Sequence, residues 1–205
     1  MAQLTTLQKV KDALGIVDTS KDDLLEDFID QASAMIQTEI GRDLEAKERT
    51  EIYDQPEGDN LFLKHYPILT DEDLVVSYRT GQVATPVWVP YTTNDYFVYP
   101  EEGYLRMVNV FADEFMSDWQ AFQVTYTGGY LIDFANEGDP TKHTLPADIT
   151  GVATQVVTKM YNLKSSEGLN SESTEGQSVT YGSANDKDLS FTQKRTLGAY
   201  ARTLV

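Results

Sequence analysis

The chain has 205 residues, with 33 acidic against 16 basic side chains, a formal net charge of -17, 40% hydrophobic residues and 11% aromatics. That length fits one domain, or one domain with a sizeable insertion, and the apolar fraction is too high for a disordered chain. The acidity excludes a broad phosphate-gripping face, which needs Lys and Arg to displace counterions. Cysteine is absent, which excludes disulfides, a thiolate nucleophile and Cys-bearing zinc sites.

The N-terminus, MAQLTTLQKV, has no apolar core of the kind a secretory signal carries. No run of about 20 apolar residues marks a membrane span. Synthesis in a cytoplasm is the expectation.

The first predicted element is a helix over Thr5–Leu14, with Leu7, Val10 and Leu14 on one side. Thr5 and Gln8 read as its capping box and Gly15 as its stop. Ser20 and Asp23 repeat the capping pattern before a longer helix. Its stripe is Leu24, Leu25, Phe28, Ile29, Ala32, Met35, Ile36 and Ile40, ending at Gly41. Asp22, Glu26, Asp27, Asp30 and Glu39 mark the opposite face.

Composition then changes: 16 of the chain's 22 aromatic residues lie between Tyr53 and Tyr130. Aromatic and β-branched residues suit a pleated, half-buried surface. Strands are predicted at Glu51–Asp54, Asn60–Lys64, Leu74–Arg79, Val87–Tyr91, Tyr96–Tyr99, Tyr104–Val110 and Phe122–Thr127, separated by turn-forming residues and closed by Gly128-Gly129. Pro146 then suits the first turn of a third helix with Ile149, Val152, Ala153, Val156, Val157, Met160 and Tyr161 as its stripe. Ser165–Gly182 is polar and reads as a mobile or loosely extended segment. Phe191, Leu197, Tyr200 and Leu204 give the last segment helix-like spacing, and four bases against one acid make residues 187–205 net positive.

The expected fold class is α+β: a small antiparallel helical bundle, an antiparallel β-rich insertion between the second and third helices, and a flexible C-terminal arm. The expected divisions are 1–45 for the N-terminal helices, 46–135 for the insertion, 136–164 for the third helix with its preceding loop, and 165–205 for an arm ending in a short helix.

The catalytic inventory is thin. His65 and His143 belong to no two-histidine helix motif and no nucleophile elbow. Asp71-Glu72-Asp73, Glu101-Glu102 and Asp113-Glu114 offer carboxylate pairs of the sort that acid/base or calcium chemistry uses, but solvated turns use them too. Gly128-Gly129 is not a dinucleotide fingerprint and opens no predicted helix. The aromatic interleaving suits a stacking platform for single-stranded nucleic acid only where cations accompany it. From Tyr53 to Tyr130 the cations are Lys64, Arg79 and Arg106 alone. The expectation is no catalytic residue, no metal site and no cofactor.

The order of motifs is more specific than any one of them. Thr5-Thr6-Leu7-x-x-Val10-Lys11 is followed by Asp23-Leu24-Leu25 opening a helix that ends Ile40-Gly41-Arg42. Leu61-Phe62-Leu63 and Tyr66-Pro67-Ile68 come next, then Val124-Thr125-Tyr126-Thr127-Gly128-Gly129-Tyr130, then Leu145-Pro146-Ala147-Asp148-Ile149. Ser171-Glu172-Ser173, Ser178-Val179-Thr180-Tyr181 and a short helix near Tyr200-Ala201-Arg202 complete the order. The chain resembles the head-to-tail connector (adaptor, or head completion) family of tailed bacteriophages, in particular its longer members with a β-rich insertion.

The resemblance implies a structural virion protein at the head–tail junction, made in the host cytoplasm, and no enzyme. It implies a ring-shaped homo-oligomer, usually dodecameric, below the portal protein. Such a ring extends the DNA channel and carries a stopper or tail-completion protein, while DNA passes without sequence-specific binding. It also implies that the C-terminal segment docks on the portal, with Phe191, Lys194, Arg195, Leu197, Tyr200 and Arg202 as candidate contacts. Two other readings stand beside it. An acidic DNA-mimic would occupy the phosphate groove of a host DNA-binding enzyme, and a small hydrolase would use a carboxylate pair.

Overall fold

The computed structural model describes residues 2–56, 58–70, 74–82, 85–108, 119–165, 171–174, 177–180 and 188–201. The chain forms two compact units, one of residues 1–42 with 132–205 and one of residues 43–131.

The first unit is helical. α1 (Leu7–Leu14) is capped by Thr6, whose side chain accepts from the Lys9 amide. The expected cap, Thr5, is instead buried and shares a hydrogen bond of 2.7 Å with Thr154. A one-residue shift of this kind follows because Thr5 has a tertiary partner that outcompetes the local one. α2 (Asp22–Ile40) starts without a side-chain cap, because Ser20 bonds back to Asp18 rather than forward to the helix. Gly15 and Gly41 both take the left-handed conformation that ends a helix, at φ 69° and 81°.

α2 buries Leu25, Ile29, Ala32, Ser33, Ile36, Gln37 and Ile40, a stripe at three- and four-residue spacing. α3 (Ala147–Ser165) begins directly after Pro146 and buries Ile149, Val152, Ala153, Val156 and Val157. A short 3-10 turn, Phe134–Asn136, precedes it. α1, α2 and α3 pack on one another, and α4 (Phe191–Gly198) packs on α2 and α3.

Among the described residues, the second unit holds seven strands: β1 (Lys47–Tyr53), β2 (Asn60–Phe62), β3 (Val75–Gln82), β4 (Thr85–Pro90), β5 (Tyr96–Tyr99), β6 (Tyr104–Met107) and β7 (Phe122–Gly128). Each overlaps a strand expected from sequence; β1 starts at Lys47, four residues before its expected start, and the expected end of the Tyr104–Val110 strand, residues 109–110, lies outside the described residues. They form two antiparallel sheets, β1-β7-β3-β4 and β2-β6-β5. β7 alternates buried and half-buried residues along its whole length, as a strand with one face on the core must. Both sheets feed one core built from Leu61, Leu63, Ile68, Val76, Tyr96, Leu105, Met107, Ala121, Phe122, Val124 and Tyr126.

The fold is therefore α+β, as expected. The polar stretch after α3 differs from expectation in containing paired strands, β8 (Ser171–Thr174) and β9 (Gln177–Thr180). Its residues carry no apolar alternation, so periodicity gives no strand signal there.

Candidate functional site

α4 is built to sit on the bundle with one face outward. Ser190 and Gln193 form a reciprocal capping box, with bonds of 2.8 and 3.3 Å. Gln193 and Leu197, four residues apart, are buried, as is Leu189 just before the helix. Phe191, Lys194 and Arg195 occupy the exposed side at spacings of three and four, and Phe191 is 83% exposed. After the helix, the Tyr200 hydroxyl lies 2.6 Å from both carboxylate oxygens of Asp148 at the start of α3. Arg42 reaches the Tyr200 carbonyl at 3.4 Å.

Of the residues expected to meet a partner, the structure thus brings Phe191, Lys194 and Arg195 together on one outward face. It places Leu197 in the interior and engages Tyr200 with Asp148. Arg202 lies outside the described residues. Beside this face, a groove of about 300 Å³ runs between α2 and the approach to α4, lined by Ala34, Met35, Thr38, Glu39, Asp188, Leu189 and Lys194. Lys194 and Glu39 stand 3.7 Å apart across it.

A second surface is the outer face of the β2-β6-β5 sheet. Strand alternation sends Leu61, Leu105 and Val98 inward. Outward come the row Phe62, Tyr104, Tyr99 and the next row Asn60, Arg106, Phe97. Tyr99 and Tyr104 stack at 4.4 Å between centroids, and Phe62 tilts against Tyr104 at 5.4 Å. Phe62 and Phe97 are 49% and 61% exposed.

A polar cluster that sequence reading did not find lies inside the same unit. Glu51 on β1 accepts a hydrogen bond from the Tyr126 hydroxyl at 2.8 Å and another from Tyr53. The backbone amides of His65 and Lys64 donate to Tyr126 and Tyr53, each at 3.1 Å. His65 Nδ1 stands 3.4 Å from the other Glu51 oxygen. Burial raises the pKa of both phenols, that of Tyr126 to about 12, so both stay protonated donors at neutral pH. The arrangement locks the 64–66 segment to β1 and β7. The period-two strand pattern places Glu51, Tyr53 and Tyr126 on inward positions, but nothing local marks them as partners.

The other chemical candidates are spread apart. His143 accepts the Asp133 amide at Nδ1, 3.1 Å away, and packs on Phe134. Glu101 and Glu102 are exposed in the β5–β6 turn. Asp71-Glu72-Asp73 and Asp113-Glu114 lie outside the described residues. Among the described residues, no three metal-binding side chains converge, and no helix is long and apolar enough to cross a membrane.

No curated protein matches the sequence. Two solved structures share the fold from end to end. One, described as the neck of an empty gene transfer agent particle computed with C6 symmetry, matches with a TM-score of 0.59 at 14% identity, covering 100% of this chain and 94% of that one. The other, the virion of a native gene transfer agent particle, matches with a TM-score of 0.57 at 15% identity, covering 98% and 91%. Residues 3–202 match the head completion protein family, and the chain belongs to that family.

Proposed function

We propose that the protein is a structural subunit of the virion neck, acting by assembly rather than turnover. In this reading its copies form a ring below the portal, extend the DNA channel and offer a platform to a stopper or tail-completion protein. The observation that carries the reading is the family match over residues 3–202, nearly the whole chain. The likeness to a neck component over 100% of this chain and 94% of that one supports it.

The chemistry of the chain suits the role. An acidic body with a net charge of -17 adds little phosphate affinity to a channel that DNA must traverse. The outward face of α4, with Phe191, Lys194 and Arg195, combines an apolar anchor with two cations and is the proposed contact for the portal. Family membership favours this reading over the DNA-mimic and hydrolase alternatives.

Particle assembly tests it. Heads packaged without this protein should accumulate full of DNA beside separate tails, and adding the purified protein should join them. Normal tailed particles made in its absence would contradict the reading.

A further inference from the structure

The outer face of the β2-β6-β5 sheet carries the Phe97 ring, which is 61% exposed. In the same sheet Arg106 and Phe97 are directly paired across β6 and β5, and both are exposed. Arg106 makes no ion pair with any described residue. A cation beside an apolar ring calls for an anion beside an apolar side chain.

The chain carries such a pair at another place. Val17, between α1 and α2, is 95% exposed and is followed by exposed Asp18. The loop holding them is rigidly built. Gly15 takes the left-handed cap, and the Ile16 amide bonds the Lys11 carbonyl at 3.0 Å. Asp18 accepts from the Ser20 amide at 2.8 Å and from its hydroxyl, which lowers the Asp18 pKa and keeps it charged. Lys11 and Asp22 tie the two ends of the loop together at 2.7 Å.

We infer that the Val17-Asp18 loop of one copy docks on the Phe97–Arg106 row of a second copy. Val17 covers the Phe97 ring and Asp18 pairs with Arg106. Glu101 and Glu102 occupy the turn beyond the Tyr99–Tyr104 row, so Arg106 lies in the row farther from them. The two surfaces differ, so the contact is heterologous, and repeating it yields a ring or a filament, not a closed pair. The inference rests on the ring reading above and names one of its contacts. A sugar or single-stranded nucleic acid fits this face less well. Tyr99 and Tyr104 spend ring faces on each other, and Arg106 is the one cation of the two rows.

Because the natural chain has no cysteine, crosslinking tests the contact cleanly. Full-length Val17→Cys and Phe97→Cys variants are treated with a short bis-maleimide, separately and mixed, free at high concentration and seated on purified portal. The mixture should give covalent dimers that neither variant gives alone, and the doubly substituted chain should give a ladder. Arg106→Asp should weaken self-association by about tenfold or more, and adding Asp18→Arg to the same chain should restore it, since like charges brought together at an interface repel. Oligomers that form without the mixed crosslink would overturn this contact and leave the ring reading standing. Phe97→Cys crosslinking only to itself would overturn the heterologous geometry. Absence of oligomers both free and on the portal would overturn the contact and the ring reading together.

Discussion

The Tyr126 hydroxyl donates to Glu51 Oε2 across 2.8 Å, joining diagonal neighbours on β7 and β1, where Glu51 faces Val124 in the register. Tyr126 is fully buried, and its oxygen also accepts the His65 amide. One phenol therefore closes the strand pair and the 64–66 segment at once. Tyr126→Phe removes both bonds while preserving the ring. Leaving a buried polar group unpaired costs about 1–3 kcal/mol, so urea unfolding should show a loss of that size. A variant as stable as the parent would show the cluster to be incidental.

The same phenol sets a pH limit. Its pKa in the fold, about 12, lies above the ordinary value of 10.0 because burial disfavours the phenolate. A raised folded pKa contributes stability that is complete below the unfolded value and is lost as pH climbs through the folded one. Stability from Tyr126 should hold up to about pH 10 and fall between about 10 and 12. Denaturation midpoints measured across that range should drop, and Tyr126→Phe should flatten that part of the drop.

Gly128 and Gly129 are demanded by close backbone approach. A Cβ on Gly128 would stand 2.6 Å from the Tyr126 ring and closer still to the His65 carbonyl oxygen. One on Gly129 would meet the Glu45 carbonyl at 2.7 Å, at a backbone φ of 122° that side chains avoid. Overpacking of this kind typically costs about 1–3 kcal/mol. Gly128→Ala and Gly129→Ala should each lower the melting temperature by several degrees, at about 2–4 °C per kcal/mol for a chain of this size. Unchanged melting would mean the backbone relaxes freely there.

Leu197 and Phe191 separate folding from docking on one helix. Leu197 is fully buried, and truncating such a residue costs about 2–5 kcal/mol, so Leu197→Ala should destabilise the helical unit. Phe191 is 83% exposed, so Phe191→Ala should leave thermal stability within about 0.5 kcal/mol while weakening portal binding. Equal destabilisation by both variants would place Phe191 in the fold rather than at an interface.

These residues also mark how far sequence patterns reach. The stripe from Leu25 to Ile40, the stops at Gly15 and Gly41, and the positions of the seven described strands of the β unit, apart from the first half of β1, follow from periodicity and turn chemistry, which are local. Thr5 defeats the local reading because its partner, Thr154, is on α3. The Glu51–Tyr53–Tyr126 cluster joins strands separated by 75 positions, and no spacing rule spans that distance. Leu197 looks like an arm residue by position. Its burial follows from α4 settling on α2 and α3, which a short amphipathic pattern alone does not reveal. β8 and β9 lack alternation altogether, so backbone pairing defines them.

The claim that this protein builds a ring beneath a portal is tested most directly by mass measurement and electron imaging of the full-length chain, with and without purified portal. The account predicts rings of uniform copy number seated on one end of the portal, with the channel continuous through both. A chain that stays monomeric beside the portal and never associates with it would contradict the account.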